Sequence, residues 1–275
     1  MRREARALGE LERDLRGALA ADRLRLVYQP MVRIADGAVW GAEALLRWDH
    51  PALGILAPGA FLDVAERSGL LVPIGEWVLR QACAEAMRWE GAAAPPVVTV
   101  NVSARQLAAG LADAVARALD ASGLPAERLG LEITEDVLLR DEREAHAVLD
   151  ALAGRGVRLL LDDFGTGFSS LRHLKHFPIG AVKIDRGFVE GLGEAGGDDE
   201  AIVAAVMGMA SATGAAVIAE GIATAAQAER LTAAGCRWGQ GYLYAAPVTP
   251  GDLRRALAAA PGAPAGPPPG RSPGG

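Results

Sequence analysis

The sequence predicts an α/β fold, a (β/α)8 TIM-like barrel with one antiparallel strand, and three observations predict it. Short runs nearly continuous in Val, Ile and Leu recur along the chain, as strands buried on both faces require. From the second run onward, helix-length amphipathic or Ala-rich segments separate them, the alternation that builds a parallel sheet. There are about eight such runs, enough to close a barrel. The first two depart from the alternation. Only a short connection containing Asp36-Gly37 joins them, a hairpin signal, so one strand runs antiparallel.

The expected strands are residues 24–32, 39–48, 97–103, 129–135, 157–164, 181–188, 215–222 and roughly 235–244. The expected helical segments are 58–89, 104–122, 137–154, 169–177, 200–213 and 225–234. Ahead of them, Leu8, Leu11, Leu15 and Leu19 stand at helical spacing among charges. Residues 1–20 therefore read as an amphipathic helix that leads into the domain or once connected it to an upstream module. The barrel domain itself is expected over 21–258, and 259–275 as a disordered tail of Pro and Gly, a composition that cannot bury enough apolar surface to order itself.

One stretch, 201–219, carries no charge and is long enough to tempt a membrane reading. It is largely Ala, however, with Gly208, Ser211, Thr213 and Gly214 inside it. Asp198-Asp199-Glu200 suits a helix start and Gly214 a helix stop, after which 215–219 runs on as a strand. The expectation is a soluble helix–strand pair with no membrane insertion. Arg2-Arg3 is followed by charged residues rather than an apolar run, so no signal peptide is expected.

Over 275 residues, Lys and Arg number 28 against 34 Asp and Glu, a net charge of −6. An acidic domain is a poor partner for a nucleic-acid polymer, because neutralising phosphates takes clustered Lys and Arg. An anionic ligand would need something local, most simply a metal ion, to offset the like charge. Cys83 and Cys236 are far apart and match no zinc spacing, so a disulfide framework is excluded and a reducing cytoplasm is the easy reading.

Chemistry concentrates where the apolar runs end. The second run contains Glu43, the third gives Asn101, the fourth Glu132 and Glu135, and the fifth Asp162-Asp163. The sixth gives Lys183 and Asp185, the seventh Glu220 and the eighth Gln240. In a barrel such ends converge on one mouth. Carboxylates gathered there repel and raise one another's pKa, and a hard divalent cation resolves the repulsion with the oxygen ligands it prefers. Adjacent Asp162 and Asp163 suggest more than one ion, since both can face the site from an irregular strand end. Any one of these residues alone would read as a cap or a surface salt bridge. Their succession at strand ends favours a site.

The residues also carry a family resemblance. Ala42-Glu43-Ala44-Leu45-Leu46-Arg47-Trp48 resembles the signature of the EAL-domain family of cyclic di-GMP phosphodiesterases. The likeness continues through Tyr28-Gln29-Pro30, Asn101-Val102-Ser103, Glu132-Ile133-Thr134-Glu135 and Asp162-Asp163-Phe164-Gly165-Thr166-Gly167. Lys183-Ile184-Asp185-Arg186, Ala219-Glu220-Gly221 and Gln240-Gly241-Tyr242 complete it. The resemblance implies hydrolysis of cyclic di-GMP to linear pGpG in the cytoplasm with Mg²⁺ or Mn²⁺, as two ions, and inhibition by Ca²⁺. Glu43, Asn101, Glu132 and Asp162 match ligands of one ion, and Asp162, Asp163 and Glu220 match positions of the second. Lys183 matches the lysine that orients the attacking water, so Lys183, Asp163, Glu220 and Glu43 form the implied catalytic set.

Arg47 matches a phosphate-gripping arginine, and Gln29, Asp185 and Gln240 match further substrate positions. Glu135 matches a residue that holds the loop after Asp163, with Gly165, Thr166 and Gly167 in that loop. A homodimer and an upstream sensory or GGDEF-type module are implied as partners. Ala223 departs from the family pattern, which usually has Glu there, and leaves open an alternative: a catalytically weak receptor that binds cyclic di-GMP and signals to a protein. His173 and His176 lack a third ligand and read as a helix-face pair.

Overall fold

Asp36 and Gly37 close the first hairpin. The N–H of Arg33 donates to Ala38 O at 2.9 Å, and the N–H of Ala38 donates to Asp36 Oδ1 at 3.1 Å. The turn sets β1 (Leu24–Arg33) antiparallel to β2 (Val39–His50), in register from Leu24↔Trp48 to Met31↔Gly41, with a shift before Val32↔Val39. The structure is a computed structural model and describes residues 2–89, 96–165, 171–193 and 198–259.

From β2 the sheet continues in parallel through β4 (Val97–Val102), β5 (Leu129–Thr134), β6 (Arg158–Phe164), β7 (Ala181–Ile184), β8 (Ala216–Ala219) and β9 (Trp238–Gly239). The last strand pairs back onto β1, so the sheet closes into an eight-stranded barrel. Only β1 runs against both of its neighbours, as expected. A short β3 (Gly54–Leu56), absent from the sequence expectation, folds back on the far end of β2 outside the ring.

Several elements are shorter than expected, each for a local reason. The strand expected over 181–188 stops at Ile184, because the Asp185 carboxylate accepts from Gly187 N–H and caps the helix Arg186–Glu190. Glu135 is the first residue of the helix Glu135–Arg140 rather than the last of a strand. The expected run 235–244 keeps only Trp238–Gly239 as ladder. Gly241, at φ +157, passes so close to Ile222 that a Cβ there would lie 2.1 Å from Ile222 O. The long segment 58–89 divides into a 3-10 turn, Pro58–Ala60, and two helices, Leu62–Arg67 and Leu71–Ala86. The tail from 260 onward lies outside the described residues.

The uncharged stretch does split as its residues suggest, into the helix Asp199–Thr213, a Gly214 C-cap and β8. Among the described residues no helix is long and apolar enough to cross a membrane. The helix Arg2–Ala20 buries Leu15 and Ala18 in the main core, and its Asp14 faces His50 Nε2 at 3.4 Å. His50 Nδ1 in turn accepts from the N–H groups of Ala52 and Leu53, both at 3.1 Å.

Alternation along each strand organises the interior. Facing outward, Val98, Val100, Leu131, Ile133, Leu159, Leu161, Val182 and Val217 join the core beneath the helices. Facing inward at one end of the barrel, Met31, Trp40, Val97, Leu160, Ala181, Ile218 and Trp238 form a separate apolar cluster. Two residues further along, the inward face turns polar: Leu160 gives way to Asp162, Ala181 to Lys183, Ile218 to Glu220 and Trp238 to Gln240. On β4 the inward series is Val97, Thr99, Asn101, and on β5 Gly130 precedes Glu132. One parity thus carries both the apolar plug and the polar mouth.

The wall is tightly filled at Gly130, where a Cβ would lie 2.7 Å from Thr99 Cγ2 and 2.9 Å from Leu160 Cδ1. Gly130→Ala is therefore expected to destabilise the fold by about 1–3 kcal/mol through overpacking. Urea denaturation checks this, and an unchanged midpoint would mean that the wall yields.

Candidate active site

Lys183 is fully buried, and its ammonium is the centre of the polar layer. Nζ donates to Glu132 Oε2 at 2.7 Å, lies 3.4 Å from both Glu43 Oε2 and Asp162 Oδ1, and pairs closely with Glu220 Oε1. Two amides knit the carboxylates together. Asn101 Nδ2 donates to Glu43 Oε1 at 2.8 Å, while Gln240 Nε2 donates to Glu43 Oε2 at 2.8 Å and to Glu220 Oε1 at 3.3 Å. Five strands, β2, β4, β5, β6 and β7, with Glu220 just past β8 and Gln240 just past β9, thus contribute to one cluster.

One ammonium facing four carboxylates leaves more acidic groups than cations in a largely buried site. The consequences differ residue by residue. Burial would push Glu43 up, but the Lys183 charge and the hydrogen bonds from Gln240, Asn101 and Lys183 outweigh it, so its carboxyl is held below the usual range. Burial and the charge of Glu43 push Glu132 well above its ordinary value, against Lys183. Burial raises Glu220 to about 7, opposed by Lys183 and reinforced by Asp162 and Glu43. Burial alone would lower Lys183, yet Glu132, Glu220, Glu43 and Asp162 together hold it well above the ordinary amine. Lys183 stays a cation.

The irregular strand end anticipated at Asp162-Asp163 is present. The ladder between β6 and β7 shifts register between Leu161 and Phe164, and Asp163 adopts φ +53. Such a backbone is uncommon outside Gly, though Asp tolerates it better than most, and strain of this kind concentrates at functional sites. Asp163 N–H donates to Asp162 Oδ1 at 3.1 Å. Burial, Asp162 and Asp185 raise the Asp163 carboxyl. Gly165 follows at φ +104, and a Cβ there would lie 2.8 Å from Phe188 Cε2, so this turn admits Gly for two reasons.

The remaining expected residues ring the cluster at different distances. Gln29 is in register with Glu43 and donates to Ala245 O at 3.3 Å. Arg47, two turns of the alternation beyond Glu43, is half-buried and donates to Leu46 O at 2.8 Å. Burial lowers the Arg47 guanidinium, opposed by the charges of Glu43 and Tyr242. Asp185 is engaged as the helix cap described above, and Glu135 is half-buried at the head of its helix. Thr166 and Gly167 lie outside the described residues, as does the side chain of His173, while His176 is exposed. Ala223 donates its N–H to Gln227 Oε1 at 2.8 Å in the capping box of the helix Ala225–Ala233, away from the charged cluster's own bonds. Sequence reasoning passed over Thr99, a fully buried hydroxyl in the barrel wall. Its only signal was a Thr at inward parity in a strand otherwise rich in Val.

As the side chains stand, among the described residues no three of His, Cys, Asp and Glu are spaced to enclose an ion. The donor set nevertheless suits hard divalent cations: all oxygen, more carboxylates than Lys183 can neutralise, and Glu132 Oε1 and Gln240 Oε1 buried without partners.

Residues 12–247 match the EAL domain family. The chain is 44% identical over 251 residues to the bifunctional diguanylate cyclase/cyclic di-GMP phosphodiesterase MucR of Pseudomonas aeruginosa, covering 90% of this chain and 36% of that protein. The chain thus spans about a third of that curated relative. Among solved structures, the MucR phosphodiesterase in its c-di-GMP complex superposes with a TM-score of 0.84 at 44% identity, over 89% of this chain and 99% of that one. The EAL enzyme Bd1971, in a form with cAMP and cyclic di-GMP bound, superposes with a TM-score of 0.87 at 31% identity, over 92% and 70% of the two chains.

Removing the central ammonium should expose how much the fold relies on it. Lys183→Met is expected to cost about 3–5 kcal/mol in metal-free buffer, because buried carboxylates lose their countercharge. Added Mg²⁺ should recover part of that loss, and denaturation curves with and without the ion check both statements.

Proposed function

The chain belongs to the EAL domain family, and on that premise we propose that it is a divalent-metal-dependent phosphodiesterase that hydrolyses cyclic di-GMP to linear pGpG. The observation that carries this reading is the Lys183 cluster: an ammonium bonded to carboxylates from β2, β5, β6 and the end of β8, with Asn101 and Gln240 as amide partners.

Glu43, Asn101, Glu132 and Asp162 would hold one cation, and Asp162, Asp163 and Glu220 a second. When bound, Mg²⁺ or Mn²⁺ supplies positive charge to the phosphate oxygens and acidifies water at neutral pH. The chain's own residues do the rest. Arg47 grips a non-bridging phosphate oxygen pair with its planar fork and so fixes the phosphorus relative to the strand ends. Lys183, held by Glu132 and Glu220, donates a hydrogen bond to the attacking water and orients its lone pair toward phosphorus. Water attacks in line, the P–O bond to the 3′ oxygen breaks, and that oxygen leaves as the new 3′ hydroxyl of pGpG. Gln240 and Asn101 keep Glu43 from turning away, while Gln29 and Asp185 border the substrate. Glu135, Gly165, Thr166 and Gly167 govern the loop after Asp163.

The receptor alternative rests on Ala223. The hydrogen bonds of that residue are those of a helix cap, and the carboxylate and amide set around Lys183 is complete without it, which favours the enzyme. A homodimer, an upstream sensory or GGDEF-type module and a cytoplasmic setting belong to the same proposal.

Incubation with cyclic di-GMP and Mg²⁺, followed by chromatography of the nucleotides, tests the activity: pGpG is expected, and intact substrate would leave the receptor reading. Ca²⁺ is expected to inhibit, since its longer bonds and looser geometry let nucleotide bind without aligning the water; equal rates in Ca²⁺ and Mg²⁺ would contradict this. Asp163→Asn separates binding from catalysis. Its kcat should fall at least about a hundredfold, as for loss of one preorganised electrostatic group, while the Kd measured by calorimetry in Ca²⁺ moves less than about tenfold. Equal changes in both would make Asp163 a binding residue.

A further inference from the structure

Beneath the charged cluster, two buried polar atoms on neighbouring strands lack partners among the described residues. Thr99 on β4 is fully buried and its Oγ1 has no hydrogen-bond partner. Glu132 on β5 is 1% exposed; its Oε2 accepts from Lys183, and its Oε1 has no partner. One is a hydroxyl seeking an acceptor, the other a carboxylate oxygen seeking a donor. The ladder brings them close: Thr99 is in register with Gly130, and Glu132 is the next inward residue above Gly130 on the same strand. Thr99 is also in register with Glu43 on the other side.

Packing alone does not call for a threonine here. In Val97-Val98-Thr99-Val100-Asn101-Val102 a valine would fill the same volume without burying a hydroxyl. Buried hydroxyls without partners are costly, and folded proteins satisfy nearly all of them. The neighbouring Gly130 leaves room for the Thr99 side chain, whose methyl would be 2.7 Å from any Cβ at that position.

We propose that Thr99 is a positioning residue of the site. Its hydroxyl donates to Glu132 Oε1 through one shared internal water and fixes the rotation of the carboxylate that holds Lys183. Thr99 touches neither substrate nor the reacting atoms. It acts through Glu132, which sets where the Lys183 ammonium points. The kinetic consequence rests on the phosphodiesterase reading above, whereas the hydrogen bond itself does not.

The test uses the whole chain with Thr99→Val and Thr99→Ser. With Mg²⁺ and cyclic di-GMP, kcat of Thr99→Val should fall about tenfold with KM within about threefold, as expected for loss of a residue supporting a ligand, and Thr99→Ser should recover most of that loss. Mn²⁺ binding by calorimetry should weaken in Thr99→Val and not in Thr99→Ser. A Thr99→Val chain with wild-type kcat and Mn²⁺ affinity and a higher Tm would show the hydroxyl to be an unpaired liability and overturn the proposal. Equal losses in both variants would make Thr99 a packing residue, overturning it as well. If the wild type itself leaves cyclic di-GMP intact, the phosphodiesterase reading fails, and a crystal structure still decides the hydrogen bond. There, Thr99 Oγ1 joined to Glu132 Oε1 by one water supports the proposal, and Thr99 Oγ1 bonded to a backbone carbonyl refutes it.

Discussion

The ammonium of Lys183 is the interaction on which the rest of the structure depends. Burying Glu43, Glu132, Asp162 and Glu220 together would be prohibitive without a countercharge, and Lys183 supplies one from a position touching all four. Its own burial is tolerated for the same reason. The barrel makes this exchange possible, because parallel strands of matched parity bring side chains distant in sequence to one level. Lys183 and Glu43 are 140 positions apart, and Gln240 and Glu43 are 197 apart, yet they share hydrogen bonds. The balance is deliberately incomplete. A cluster with more carboxylates than ammonium has a donor set that suits added positive charge.

The same reasoning explains what the sequence made legible. Strand order, the antiparallel β1 and the identity of the charged cluster follow from periodicity and from where polar residues interrupt apolar runs. Glu43, Asn101, Glu132, Asp162, Lys183, Glu220 and Gln240 are all visible that way, since each is a polar residue at inward parity in an apolar strand. Less legible was where strands stop. Asp185 reads as a site residue at a strand end, and its carboxylate also accepts from the N–H of Gly187 and so ends the strand, because Asp is as apt a helix cap as it is a ligand. Thr99 escaped notice for the converse reason: a lone hydroxyl among valines carries no charge pattern, and only its burial without a partner marks it. The β3 hairpin also lay beyond periodicity, since three residues are too few to display one.

Among the described residues two non-Gly residues have positive φ, Asp22 in the turn before β1 and Asp163 at the place where chemistry is proposed. Asp163 at φ +53, the register shift of β6 and the tight Gly165 turn against Phe188 are consecutive features of one strand end. A regular strand would send Asp162 and Asp163 to opposite faces. The shift breaks that rule locally, which would let both carboxylates serve one mouth in the proposed site. The surrounding ladder, regular from β4 to β5 and from β7 to β8, over-determines the bend and keeps it in place.

The apolar cluster of Met31, Trp40, Val97, Leu160, Ala181, Ile218 and Trp238 has a consequence for traffic. It stoppers the barrel beneath the charged layer, so the interior is a cup and not a pipe. Whatever reaches Lys183 must arrive and depart through the same opening. Entry and release then share one route, with no second way in from beneath the apolar cluster.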